Sequence, residues 1–293
     1  MNTNALWDVT LTDGQHSLVF YALSVAGLAL FAFALRSFTT QHEVSVRYRP
    51  AIIAGMCVAA VAFLSYVVLV LKFDAGYTQT SEGWVATSNA VLSWAPRYFD
   101  WTVTVPLLVT ELIAVSTLVG STASRYRTIG VSLAVGMIVT GFIGGVAIDD
   151  GTNLGALWIW GTLSALCMVG LYVMFIFMMM RARRDMAGSS ALPTFNLTIA
   201  LLCVIWFAYP IVFALQGFTV TSGSYVTAQV LLSVADIIAK IGFGALIHKI
   251  AKQRTAEDIA AGIDTGHTGP IWMNGEQVAG PRAGRQNPRT GRR

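Results

Sequence analysis

Five ionisable residues stand inside otherwise apolar stretches of this sequence: Arg97, Asp100 and Glu111 in one, Asp236 and Lys240 in another. Arg97, Asp100, Thr104 and Glu111 recur at helical spacing, so the four share one stripe of a helix. Asp236 and Lys240 are one turn apart on one face of a second helix. An ammonium group in such surroundings needs carboxylates from a neighbouring helix to hold its charge, or capture by an aldehyde as a Schiff base, a known use of desolvated lysines. Glu111 falls about 16 Å along the helix from Asp100, at about 1.5 Å per residue. One carboxylate beside the amine and another half a membrane away suit stations on a proton path. The plainer alternative is a buried ion-pair network that only locks helices together.

The elements that must position these groups are apolar throughout. The chain has 293 residues, 55% hydrophobic and 12% charged, where a soluble domain carries about 25% charged residues. That balance excludes a soluble globular enzyme, a disordered chain and a nucleic-acid binder, despite the formal charge of +4. A spanning helix needs about 20 apolar residues, and seven stretches qualify: 17–36, 51–72, 90–119, 128–148, 154–180, 195–217 and 224–251. The expected fold is all-α, a seven-transmembrane helix bundle over residues 1–252. From 253 to 293 the chain turns polar and rich in Gly and Arg, and reads as a largely disordered basic tail. Cys57, Cys167 and Cys203 lie in apolar runs and suggest no disulfide framework. The first residues carry no basic group ahead of an apolar stretch, so no cleaved secretory signal is expected. No metal site and no nucleic-acid partner are expected.

Lys and Arg set the expected orientation. Arg47 and Arg49 stand in the first connection, Arg125 and Arg127 in the third, Arg181, Arg183 and Arg184 in the fifth, with Lys249, Lys252 and Arg254 at the start of the tail. The even connections hold Lys72 with Asp74 and Glu82, then Asp149 and Asp150, then no charge. This places the N-terminus outside and the C-terminus in the cytoplasm of a multi-pass protein, expected in a bacterial inner or plasma membrane.

The segments RYFDWTVTVPLLVTE (Arg97 to Glu111) and ADIIAK (Ala235 to Lys240), with WFAYP (Trp206 to Pro210) in the sixth span, resemble the microbial rhodopsins. The resemblance covers roughly residues 15–252, and its motifs agree in order, helix and topology. It implies all-trans retinal bound as a Schiff base on Lys240, with Asp100 as primary counterion and proton acceptor and Asp236 as second counterion. Arg97 would lie on the extracellular side of that pair, and Thr104 would donate a hydrogen bond to Asp100. Glu111 matches the cytoplasmic proton donor. The Asp–Thr–Glu set is similar to the proteorhodopsin and xanthorhodopsin groups of outward proton pumps, whereas chloride pumps of the family lack the acidic counterion and sodium pumps carry Asn–Asp–Gln. Trp101, Trp160, Trp206 and Tyr209 resemble the residues that sandwich the polyene, with Tyr66, Leu108, Met137, Gly141 and Phe213 as neighbours. At the place of Leu108, Leu goes with green absorption and Gln with blue in the proteorhodopsin-like group. Trp7 and Trp84 read as ordinary core or interfacial aromatics.

Three features depart from the family pattern. Ser65 stands where many proteorhodopsins carry a histidine bonded to the counterion. The acidic pair that releases protons early in haloarchaeal pumps has no equivalent in GFTVTSGSYVTAQ, which favours late release. Some relatives hold a carotenoid antenna at a glycine gap, and Gly161 or Trp158 occupies that stretch here, which leaves the antenna open. The resemblance implies a transporter rather than an enzyme, with protons and the lipid bilayer as partners and a homo-oligomer, trimer or pentamer. A light-driven outward proton pump is the expected function. The alternative is a sensory photoreceptor that signals to a partner without net transport, and a light-gated channel is a weaker third. Glu111 discriminates, because a slow-cycling sensor has no need of a carboxylate donor.

Overall fold

The computed structural model describes residues 5–218, 220–273 and 275–280. Seven helical rods run side by side. The first five are α1 (Asp13–Thr40), α2 (Arg49–Ala75), α3 (Pro96–Ala114), α4 (Gly120–Phe142) and α5 (Leu154–Asp185). The sixth rod is broken into α6 (Ala191–Trp206) and α7 (Ala208–Leu215). The seventh runs from α8 (Ser222–Asp236) through a π-helical stretch, Ile237–Gly242, into α9 (Phe243–Ala260). Their outward faces expose large apolar side chains such as Leu28, Leu64, Leu166 and Val204. Such a belt on a water-soluble protein would drive aggregation; here it is the surface that meets lipid.

Local chemistry sets the helix ends. Thr12 and Gln15 form a reciprocal capping box that starts α1, and Thr221 with Ser224 does the same for α8. Pro50 and Pro96 open α2 and α3 in the first turn, where a missing N–H costs nothing. Pro210 has no N–H to offer Trp206, and the sixth rod breaks where that bond would be.

Six of the rods are long and apolar enough by themselves to cross a membrane. The third is not among them, because α3 holds Arg97, Asp100 and Glu111 within 19 residues. The expected third span, 90–119, is thus too long: Ala90–Ser93 is a separate 3₁₀ turn and the chain leaves the helix after Ala114. The fourth helix begins at Gly120 rather than 128. Hydropathy finds where lipid ends, whereas the hydrogen-bond ladder of a helix continues into water.

Two further differences lie in the connections. The stretch 73–89 folds into a hairpin, β1 (Tyr77–Thr80) paired antiparallel with β2 (Gly83–Ala86). It is clasped to the start of α1 by the Leu11–Trp84 backbone pair, and His16 stacks on Trp84 with ring centres 3.8 Å apart. Burial pushes the Tyr77 hydroxyl far above its usual range, so it stays a donor, here to the Trp7 carbonyl at 2.7 Å. Trp7 is buried in the core.

The boundary drawn at 252 falls inside α9, which continues to Ala260 because its last turns are tied down. Thr255 accepts from Ser45 N at 2.9 Å, and Glu257 accepts from Ser190 N at 2.8 Å, at the start of α6. Beyond it, β3 (Ile271–Met273) pairs with β4 (Glu276–Ala279), and Ile271 is fully buried. The segment before that hairpin is held by Val46 N to the Thr265 carbonyl (2.9 Å) and Gly269 N to the His42 carbonyl (3.1 Å). Among the described residues from 253 to 280 the chain thus forms the end of α9 and a hairpin, where composition suggests a disordered tail. The Arg-rich stretch 281–293 lies outside the described residues.

Candidate functional site

Lys240 sits in the π-helical stretch of the seventh rod, where the extra residue per turn is a frequent mark of a functional site. Its side chain is buried against two carboxylates. Nζ lies 2.6 Å from Asp100 Oδ2 on α3 and 3.3 Å from Asp236 Oδ1, one turn back. The stripe on α3 and the pair on the seventh rod thus meet as the spacing predicts.

The two carboxylates have different surroundings. Asp236 is wrapped by donors: Tyr66 OH at 2.8 Å on Oδ2, and Tyr209 OH at 2.7 Å and Trp101 Nε1 at 3.3 Å on Oδ1. Arg97 stands 3.7 Å from Oδ2. These groups fix a negative charge in place. Asp100 Oδ2 has the lysine, while Oδ1 has no hydrogen-bond partner among the described residues. Asp100 is therefore the better placed of the two to take up a proton. The Thr104 hydroxyl donates to the Asp100 backbone carbonyl at 3.0 Å, one turn back, and also lies within hydrogen-bonding reach of the carboxylate. Ser65 turns to the Pro96 carbonyl at 3.4 Å.

Arg97 is fully buried and continues the network towards the N-terminal face. It donates to Tyr66 OH at 3.1 Å and to Gln229 Oε1 at 2.7 Å, and its guanidinium lies over the Tyr66 ring at 5.4 Å. Gln229 passes the chain on to Tyr225 OH at 2.9 Å and the Ser93 carbonyl at 3.1 Å. The sequence reading missed Gln229 and Ser233. The signal was present: Gln229, Ser233, Asp236 and Lys240 fall at spacings of four, three and four on one face. Attention to charge alone passed over it.

Glu111, three turns beyond Asp100 on α3, is 1% exposed, and its Oε2 has no hydrogen-bond partner among the described residues. Gly55 makes room for it, since a Cβ there would come within 2.6 Å of Glu111 Oε1; Gly244 makes room for Phe33 and borders Glu111 at 3.6 Å.

A cavity extends from Lys240 between the third, fourth, fifth and sixth rods. Trp101, Leu108, Met137, Gly141, Trp206, Tyr209 and Phe213 line it, as expected. Trp160 does not. Its Cβ lies against Gly144, and the next residue, Gly161, faces the cavity instead, since neighbours on a helix point about 100° apart. A Cβ at Gly161 would strike Phe213 at 2.5 Å, so glycine there lets the Phe213 ring close the wall. Tyr66 is not on the wall either; it serves Asp236. The lining also includes Tyr98, Ser164 and Met168, for which spacing gave no signal. Apolar walls ending at one amine fit a long apolar molecule that joins the lysine through a carbonyl carbon.

Fold and site together define a seven-helix membrane protein with a buried lysine between carboxylates at the end of an apolar ligand cavity. A family model described as bacteriorhodopsin-like protein matches residues 12–254, and the chain belongs to that family, the microbial rhodopsins. The crystallographic structure of xanthorhodopsin, a light-driven ion pump with dual chromophore, has a TM-score of 0.78 at 28% identity, covering 87% of this chain and 99% of that one. A thermophilic rhodopsin has a TM-score of 0.79 at 26% identity, covering 85% and 98%. Halorhodopsin of Halobacterium sp. (strain SG1) is 28% identical over 257 residues, 84% of this chain and 83% of the relative.

Proposed function

We propose that this protein is a light-driven pump that carries protons outward across a bacterial inner or plasma membrane, with all-trans retinal held on Lys240. The observation that carries the reading is the asymmetry around Lys240 Nζ: an acceptor with a free oxygen at 2.6 Å on one side, and a buried, solitary carboxylic acid beyond it on the other. Retinal supplies the absorption of light and the change of shape that drives the cycle. The residues do the rest. Lys240 Nζ gives its proton to Asp100, which lies in contact and has an oxygen to spare. Arg97, held between Tyr66, Gln229 and Asp236, is the charge that shifts when Asp100 becomes protonated. Glu111 returns a proton to Nζ from the other side and refills from the face that bears the basic connections. That face is the cytoplasmic one on the distribution of Lys and Arg. Each proton moved outward stores about 2.3 kcal/mol per 100 mV of membrane potential.

The acidic Asp100 supports protons over chloride as cargo, since an anion beside the amine would have to displace that carboxylate. Light-induced pH change in a suspension of cells expressing the chain with retinal tests the reading. External acidification that a protonophore abolishes is the expected result. No net change under bright light overturns the pump and favours the sensor.

A further inference from the structure

Among the described residues, the inner half of the bundle holds a buried imidazole with no part in the scheme so far. His248, on α9, is 5% exposed, and its Nε2 has no hydrogen-bond partner among the described residues. Glu43, in the 3₁₀ turn Gln41–Glu43 after α1, stands 3.9 Å from that nitrogen. Glu43 is partly open to solvent and is paired with Lys252. Arg36, near the end of α1, is the other charged group that acts on the imidazole.

Position along α9 joins these residues to Glu111. Gly244, His248 and Lys252 are successive single turns on one face. Gly244 borders Glu111, 3.6 Å from its would-be Cβ, and Lys252 borders Glu43. His248 lies one turn from Gly244 and one turn from Lys252 along α9.

We propose that His248 and Glu43 form the relay through which protons from the C-terminal face reach Glu111. The inference rests on Glu111 being the donor to Lys240. Glu43 collects a proton at the surface, and its carboxylic acid passes it to His248 Nε2. The opposite nitrogen of the ring then releases a proton towards Glu111 once that group is anionic, leaving the imidazole neutral. A ring with two nitrogens can accept at one and donate at the other. Burying an imidazole without a hydrogen-bond partner is costly, and a purely packing role would be filled better by Leu or Phe.

Flash-induced proton uptake, read with a pH-indicator dye on the purified full chain with retinal, tests the relay. His248→Gln and Glu43→Gln are expected to slow uptake by about tenfold or more, the low side of what a positioned acid–base group contributes. The earlier transfer from Lys240 to Asp100 should keep its rate and the visible band its position. Imidazole added to the buffer should restore most of the rate lost in His248→Gln. Slowing that imidazole does not relieve would assign the ring to packing and overturn the relay. Should His248→Gln lose its visible band, Glu43→Gln at the rim carries the same test, with azide as the diffusible acid. Glu111→Gln is the reference. If it slows uptake while His248→Gln and Glu43→Gln do not, the relay fails and the donor stands. If Glu111→Gln leaves uptake unchanged, the donor reading fails and the relay with it.

Discussion

On the N-terminal side of Lys240, side chains are hydrogen-bonded to one another without a break: Tyr66 donates to Asp236, Arg97 to both Tyr66 and Gln229, and Gln229 to Tyr225. On the other side, α3 runs from Thr104 to Glu111 through Val105, Leu108 and Val109, all buried, before the next carboxyl group appears. One half is a preorganised polar network that holds charge; the other is an apolar barrier with one acid set into it. On the proposed function, a proton leaving Nζ towards the first half finds a base in contact, whereas one arriving from the second must cross hydrocarbon packing, which puts the conformational step in that second half.

The comparison can be broken most completely at its centre. Lys240→Ala should leave a folded bundle with no covalent chromophore, so that visible absorbance after addition of retinal falls to nothing; an unchanged visible band would remove the role assigned to the lysine. Next in size is the outer half. Asp100→Asn should abolish light-driven acidification and redden the pigment at neutral pH, as acid titration of the unchanged protein should also do by protonating Asp100. Removing one partner of a buried pair costs about 3–5 kcal/mol, so without retinal this variant should also melt earlier. Acidification that survives would promote Asp236 to acceptor, against the donors that surround it.

A smaller effect is expected from the inner half at Gly55. An added methyl group would meet Glu111 Oε1 at 2.6 Å, and the carboxyl group must move. Gly55→Ala should slow return of the proton to Lys240 by about tenfold, since displacement of a reacting group by an ångström is costly, and leave the first transfer to Asp100 alone. Slowing of both steps would show that the halves are not independent. The smallest change sharpens the cavity itself. Leu108 is buried on its wall, and Leu108→Gln should move the absorption maximum to shorter wavelength through the dipole of the amide, with pumping retained. A spectrum that stays put would leave Leu108 as packing only.

How much of this was legible in the sequence depends on range. Charges in hydrocarbon are rare and costly, so Arg97, Asp100, Glu111, Asp236 and Lys240 announced themselves, and helical spacing was enough to group them on two faces. The seven crossings followed from hydropathy, including α3, whose charges keep it from qualifying as a span on composition alone. The family motif then placed Trp101, Trp206 and Tyr209 beside the lysine, and the cavity lining agrees. Composition gave no sign of β3 and β4, because the segment before them is held by the loop after α1 and Trp272 by Lys252, contacts from far along the chain.

Local sequence thus determined which groups are present, which helix carries each and which of them share a stripe, because those are properties of a few turns of one helix in an apolar solvent. Only the packing of the rods decided the rest. It surrounded Asp236 with Tyr66, Tyr209, Trp101 and Arg97 besides the amine and left one oxygen of Asp100 unpartnered among the described residues; it turned Gly161 rather than Trp160 to the cavity and brought His248 beside Glu43. Each of these depends on the angle at which one helix faces the next. A shift of one residue turns a side chain by about 100°, and no spacing within a single helix fixes that angle.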